Sequence, residues 1–258
     1  MTATRSSTWL ITGASSGIGK SLALEALKPG ARVVGTSRDV NKAEMSFPEF
    51  TKRGGIWLAL DAAQKDAFER FSKCATEYDI DVLINSAGYA LIGGVEDTRS
   101  VFESCAMIVS SLTCTNSEDE VREQMEVNFY GPLRAVRACL PVMRSNGFGN
   151  LVLISSGAGK FAIEAVYESL SHEVKTFGVK VLIVEPGAFR TPFASKIRTP
   201  AQYQVSNGFS EAYKGTEVEQ MVNGTVNIMS IPDFVKGDPD KAARAIANAV
   251  IEGHAYLN

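Results

Sequence analysis

Short apolar runs alternate along the chain with longer segments in which apolar residues recur every three or four positions. The runs have the length of buried strands and the longer segments suit amphipathic helices, so strands and helices should alternate. Strands are predicted at 9–11, 32–38, 55–60, 81–84, 150–154 and 179–184. Because strands joined through helices pair in parallel, we expect an α/β fold with a doubly wound parallel sheet.

The first predicted strand runs into a glycine-rich loop and then a helix, with glycines spaced as Gly-x-x-x-Gly-x-Gly. Glycines let the backbone come close to a ligand, and the free N–H groups at the start of a helix favour a phosphate. The loop therefore predicts a site for a dinucleotide pyrophosphate. The residues assigned to it are Ile11, Gly13, Ser15, Ser16, Gly17, Ile18 and Gly19.

The end of the second strand indicates which dinucleotide is bound. An acidic residue there would accept hydrogen bonds from ribose hydroxyls and favour NAD, whereas this chain has Ser37 followed by Arg38. A guanidinium suits a 2′-phosphate, so we predict NADP(H) as the cofactor. Asp39 follows directly, and the alternative is a solvated Arg-Asp turn.

Composition limits the remaining possibilities. The chain has 258 residues, 45% of them hydrophobic, and no composition shift that would mark a second domain, so one domain over 1–258 is expected. The net charge of −3 and the scattered basic residues give no indication of a nucleic-acid partner. Four cysteines without CxxC spacing, a polar start and strand-length apolar runs predict a cytoplasmic protein with no membrane span and no metal site.

The Thr-Gly-x-x-x-Gly-Ile-Gly form of the loop, together with Asn85-Ser-Ala-Gly88 after the fourth strand, resembles the short-chain dehydrogenase/reductase family. The segments from Gly157 and from Val184 resemble its retinol- and hydroxysteroid-dehydrogenase-like branch. The resemblance covers most of the chain and implies a single Rossmann domain. It also implies hydride transfer between NADPH and a small-molecule carbonyl or secondary alcohol, a substrate lid at 193–236, and a homo-oligomer.

The resemblance implies roles for individual residues. Ser156 would bind the substrate oxygen, as its place after a strand in an open sheet supports, or else cap a loop. Asn128 would help to hold a water in a proton relay, or else bond backbone inside a helix. Asp61 would contact adenine, or else cap a helix or turn. The other cofactor contacts implied are Asn85, Ala87, Gly88, Pro186, Gly187, Phe189 and Thr191, with Arg137 facing either the cofactor or solvent.

Three departures from the family pattern bear on activity. The catalytic Tyr-x-x-x-Lys is missing, and the nearby Tyr167, a candidate substitute, has Ser171 rather than lysine four residues later. On the alternative interpretation Tyr167 is a partly exposed helix tyrosine. Residues 99–117 form an atypical insertion, and the chain stops before the family's usual last strand, which predicts a sheet without it. The alternatives to an active reductase are a dinucleotide-binding pseudoenzyme and the product of a mis-spliced gene model.

Overall fold

The computed structural model describes residues 6–94, 96–98, 117–156, 160–200, 203, 209–231 and 234–252. In chain order the strands are β1 (Thr8–Thr12), β2 (Arg32–Ser37), β3 (Ile56–Ala59), β4 (Val82–Asn85), β5 (Ala90–Leu91), β6 (Gly149–Ile154), β7 (Val179–Val184) and β8 (Ile197–Arg198). Six of them form one parallel sheet in the order β3-β2-β1-β4-β6-β7, and β5 pairs with β8. Each of the six predicted strands is confirmed, and the short β5 and β8 were not predicted.

The helices lie between the strands, as expected for parallel pairing. They are α1 (Gly17–Leu27), α2 (Val40–Ser46), α3 (Pro48–Lys52), α4 (Ala67–Tyr78), α5 (Ser117–Met125), α6 (Gly131–Asn146), α7 (Phe161–Val174), α8 (Glu217–Ser230) and α9 (Pro239–Glu252), and a π-helical segment over Glu126–Tyr130 joins α5 to α6. The predicted doubly wound α/β fold is confirmed.

Buried side chains form a core on each face of the sheet. On one face Leu10 and Leu83 pack with α4, α6 and α7. On the other face Trp9 and Ile84 pack with α1 and α9. Both faces of β1 and β4 are therefore covered, which explains why their sequences are continuous apolar runs rather than alternating ones.

The strand order reverses at β1, whose neighbours are β2 and β4. Helices leave the carboxyl ends of these strands toward opposite faces, so a crevice opens there, and open α/β sheets bind ligands in it. Thr12 at the end of β1 joins that strand to the loop after β4, because its Oγ1 accepts hydrogen bonds from Ser86 N (3.0 Å) and Ala87 N (3.2 Å). The loops after β1 and β4 are thus held as one unit.

Two buried thiols lie between α4 and α6. Burial raises the pKa of Cys74 to about 12, and burial together with the nearby Cys74 raises the pKa of Cys139 further above its ordinary value. Both side chains belong to the core on the α4–α6 face of the sheet. They therefore stay protonated and shielded from solvent in the folded chain.

Some predictions concern residues outside those described. All of the predicted insertion at 99–117 except Ser117, which begins α5, is outside them, as are Gly157 and the chain end at 253–258. Within the described residues the sheet stops at β7, and no further strand pairs with it.

Candidate cofactor and substrate site

Two adjoining cavities occupy the crevice at the carboxyl ends of the strands. The outer chamber, of about 1060 Å³, lies beside the ends of β2 and β3, and the inner chamber, of about 320 Å³, lies beside the end of β6. Residues lining both are Gly13, Ser16, Gly17, Gly88, Tyr89, Pro192 and Lys196. A single elongated ligand can therefore reach from one chamber into the other past the glycine loop.

The glycine loop needs its glycines for steric reasons. Gly13 has φ +68°, and a Cβ there would lie 2.9 Å from the Ala87 Cα. A Cβ on Gly19 would lie 2.6 Å from the carbonyl oxygen of Gly13. Only hydrogen fits at these positions, so the turn into α1 stays tight beside the crevice.

Basic side chains dominate the lining of the outer chamber. They are Lys20, Arg38, Lys42, Arg190, Lys196 and Arg198, against the carboxylates Asp39, Asp61 and Glu123. Two of these carboxylates are engaged by backbone: Asp39 Oδ1 accepts from Lys42 N (2.9 Å) at the start of α2, and Asp61 Oδ1 accepts from Ala63 N (3.1 Å). The chamber is consequently suited to an anionic ligand.

Lys196 brings a positive charge from a distant loop onto the glycine loop. Its Nζ donates to Ser16 Oγ (2.8 Å) immediately before α1. Burial lowers the pKa of Lys196, and the nearby Arg38 lowers it further. Two cations and the positive end of α1 thus converge on one place, which favours phosphate there.

The inner chamber is more apolar and contains Ser156 and Lys160. Its remaining wall includes Ile18, Ile154 and the loop after β7, from Pro186 to Phe193. Lys160 is 6% exposed, and its Nζ donates to Ile154 O (2.8 Å) and Ala87 O (3.2 Å). Burial lowers the pKa of Lys160 to about 8, against the opposing effect of Glu164. A lysine whose pKa is lowered toward neutral pH therefore lies beside a largely apolar space.

Asn128 holds the backbone of Tyr89, a residue that lines both chambers. This asparagine is 1% exposed on the π-helical segment; its Oδ1 accepts from Tyr89 N (3.2 Å) and its Nδ2 donates to Tyr89 O (2.8 Å). The Arg198 guanidinium lies over the Tyr89 ring, 4.4 Å from its centroid. Asn128 therefore bonds backbone, which the predicted relay role also requires in part, and it positions Tyr89.

Comparison with known proteins agrees with this architecture. A family model described as short chain dehydrogenase matches residues 7–202. The chain belongs to the short-chain dehydrogenase family. It is 38% identical over 235 residues to oxidoreductase claN of Passalora fulva, covering 86% of this chain and 96% of that protein. Retinol dehydrogenase 8 of Homo sapiens is 31% identical over 210 residues, 74% of this chain and 61% of that protein.

A solved structure shows the same fold over nearly the whole chain. The short-chain dehydrogenase of Streptomyces avermitilis superposes with a TM-score of 0.75 at 32% identity, covering 98% of this chain and 87% of that one. The predicted family is confirmed, and with it the class of activity. This short-chain dehydrogenase is an oxidoreductase that uses a nicotinamide dinucleotide.

Most of the residues predicted for the cofactor line the two chambers of the dehydrogenase. They are Gly13, Ser15, Ser16, Gly17, Ile18, Ser37, Arg38, Asp61, Ala87, Gly88, Pro186, Gly187, Phe189 and Thr191, and the predicted substrate residue Ser156 lines the inner chamber. Ile11 and Gly19 are buried behind the glycine loop, and Asn85 is buried below the loop after β4. Arg137 is exposed on α6 and lines neither chamber, so the solvent-facing alternative is the one found.

Tyr167 requires a correction. It is neither partly exposed nor at the chambers: its side chain is 0% exposed in the core, and its hydroxyl accepts a hydrogen bond from Asn85 Nδ2 (2.7 Å). Burial raises the pKa of Tyr167 well above its ordinary value. A phenol held protonated beneath the sheet cannot exchange protons with a ligand in the inner chamber, so Tyr167 is a structural residue.

Sequence reasoning missed several lysines at the site. Lys20, Lys42, Lys160 and Lys196 all line a chamber of the dehydrogenase. Lys20 directly follows Gly19, and this spacing alone could have indicated it. Lys160 and Lys196 carry no motif in this chain, since their position depends on where distant loops fold.

The described residues carry no feature of a membrane span or a metal site. Among the described helices, none is both long and apolar enough to cross a membrane. The same residues contain no group of three or more histidine, cysteine or acidic side chains arranged to hold a metal ion.

Proposed function

We propose that the protein is an NADPH-dependent reductase of small lipophilic ketones and aldehydes, acting also on the corresponding alcohols in reverse. The observation that carries the proposal is the contrast between the two joined chambers. Cations surround the outer one, whereas the inner one is mostly apolar and contains Ser156. A dinucleotide and an uncharged substrate would fit these two environments.

The residues present fit a phosphorylated dinucleotide. Gly13 packs too closely against Ala87 for any Cβ, which keeps the glycine loop tight, and Lys196 donates a hydrogen bond to Ser16 directly before α1. Arg38 and Lys42 line the chamber at the end of β2, where a 2′-phosphate would bind. The nearest acid, Asp39, already accepts a hydrogen bond from backbone, so it is less available to ribose hydroxyls. These contacts support NADP(H) over NAD(H).

The protein's own part in the chemistry is to position and polarise the substrate. When bound, the reduced nicotinamide supplies a hydride to the carbonyl carbon. Ser156 would orient the carbonyl oxygen by a hydrogen bond, and Phe189 and Phe193 would exclude water around it. We also propose a cytoplasmic location, and a homo-oligomer stays a prediction.

The cofactor preference is tested at Arg38. Loss of a charge-assisted hydrogen bond costs about 1.5–3 kcal/mol, so Arg38→Ala should weaken NADPH binding roughly 10- to 100-fold. NADH lacks the 2′-phosphate, and its dissociation constant should change by less than about threefold. Fluorescence titration of both cofactors measures the effect.

The control is Arg32→Ala, which removes an exposed arginine from the other end of β2. It should leave both dissociation constants unchanged. Equal weakening of NADPH and NADH by Arg38→Ala would contradict the 2′-phosphate assignment. NADPH binding without consumption across a panel of aldehydes and ketones would instead indicate the pseudoenzyme.

A further inference from the structure

The inner chamber presents a buried amine beside the residue proposed to bind the substrate oxygen. Lys160 follows Ser156 by four residues, and both residues line this chamber. A Cβ placed on Gly88 would lie 2.9 Å from Lys160 Nζ and 3.1 Å from Asn128 Oδ1, so the amine reaches the loop between the chambers. The other lysine of the inner chamber, Lys196, donates to Ser16 instead.

Among the described residues, the hydrogen bonds of Lys160 use two of its protons and leave one for a ligand. A lysine ammonium carries three protons. The carbonyl oxygens of Ala87 and Ile154 accept two of them, and no atom of the described residues accepts the third. These two carbonyls belong to the loop after β4 and the end of β6, so the amine is held on two adjacent strand ends. Such anchoring keeps the remaining proton in a fixed place.

We propose that Lys160 is the general acid of the reduction, donating the proton that the substrate's carbonyl oxygen gains. This inference rests on the proposed function. As the carbonyl carbon accepts the hydride and its electron pair, the π pair of the C=O bond moves onto oxygen. The oxygen takes a proton from Lys160 Nζ to form the alcohol, and the neutral amine is reprotonated by water. In the oxidative direction the neutral amine accepts the proton instead.

The surroundings of Lys160 suit this role. Burial lowers the pKa of Lys160 to about 8, Glu164 on α7 raises it, and Lys196 on the facing loop lowers it. Glu164 is itself engaged, because Ser155 Oγ donates to its carboxylate. A group whose pKa lies near the working pH is an efficient proton donor.

Tyr89 also lines the inner chamber and carries a phenol that could donate a proton. Burial raises the pKa of its phenol, and Glu123 adds to the rise while Arg198 opposes it. The phenol is therefore a weaker acid than the Lys160 ammonium. Replacing each residue separately distinguishes the two.

The test compares the full-length wild type with Lys160→Met, Lys160→Arg, Tyr89→Phe and Lys175→Met. Methionine keeps the length of the buried side chain without a proton to donate, and arginine keeps the charge but does not titrate. Lys175 is exposed at the end of α7, so Lys175→Met is the matched control. Each protein is assayed for consumption of NADPH with para-nitrobenzaldehyde and for NADPH affinity and thermal unfolding.

We expect Lys160→Met and Lys160→Arg to lower kcat by about 10²- to 10⁴-fold, the usual loss for a positioned general acid. NADPH affinity should change by less than about threefold. Since the acid form is required, wild-type kcat/KM for reduction should fall as the pH rises through about 8. The kcat/KM for oxidation should rise over the same range, and Lys175→Met should behave as the wild type.

Several results would overturn the inference. Turnover by Lys160→Met at the wild-type rate would overturn the role of Lys160 and leave the proposed function intact. Loss of turnover in Tyr89→Phe alone would have the same meaning. If both Lys160 variants failed to fold, the wild-type pH–rate profile would still test the role of Lys160. A profile without an inflection near pH 8 would overturn that role. Absence of wild-type turnover with this aldehyde and with a panel of ketones, despite NADPH binding, would overturn both.

Discussion

Gly13→Val should weaken NADPH binding at least about 100-fold while the protein stays folded. A non-glycine residue at φ +68° costs roughly 1–2 kcal/mol, and valine is disfavoured further because it is β-branched. The larger effect is steric, because the new Cβ would lie 2.9 Å from Ala87 Cα. The loops after β1 and β4 would be forced apart where the two chambers meet. Fluorescence titration with NADPH, alongside chemical denaturation, measures both effects.

Gly30→Val is the control that isolates backbone strain. Gly30 also has a positive φ, of +85°, but nothing lies within 4 Å of a Cβ built there. It follows α1, at the end of the sheet away from the chambers. Gly30→Val should lose a similar roughly 1–2 kcal/mol of stability and none of the cofactor affinity. If the two variants bind NADPH equally well, close packing at Gly13 is not what shapes the site.

Tyr167→Ala should lower the free energy of unfolding by about 3–5 kcal/mol, as large-to-small changes of aromatic residues in cores do. The side chain is fully buried, and its removal would also take away the hydroxyl that Asn85 Nδ2 contacts at 2.7 Å. Tyr167→Phe keeps the ring and should cost about 1–2 kcal/mol, since Asn85 retains the carbonyl of Pro132 as an acceptor at 3.2 Å. Chemical denaturation of both variants gives these values.

The comparison for Tyr167 is Phe161→Ala, because Phe161 lies on the same helix and is 66% exposed. That change should fall within about 0.5 kcal/mol of the wild type. The folded Tyr167→Phe protein should also keep its turnover. A loss of turnover at unchanged stability would show that the phenol takes part in proton transfer after all.

The features that could be predicted from the sequence are local. The strand at 9–11, the glycine loop and the start of α1 follow from a short apolar run, glycine spacing and helical periodicity. Ser37 and Arg38 could be placed at the outer chamber because the end of the second strand has a fixed place in a doubly wound sheet. In each case neighbouring residues determine the structure.

The features that could not be predicted depend on contacts between distant segments. Tyr167 looks polar enough for a helix surface, yet it shares a buried face with Ile163, Leu170 and Val174, and its hydroxyl meets Asn85 from β4. Lys160 bonds the carbonyl of Ala87, 73 positions away in the chain. A lysine in a sequence is expected at the surface, and only the folded loops give it two buried acceptors.

The two buried thiols, Cys74 on α4 and Cys139 on α6, can report local opening of these helices. Alkylating reagents react with an accessible thiolate, and in the folded chain Cys74 and Cys139 are neither accessible nor ionised near neutral pH. Modification of either cysteine therefore shows that α4 or α6 has transiently separated from the sheet. Peptide mapping of the modified chain would show whether the two helices open together or one at a time, and whether NADPH slows them.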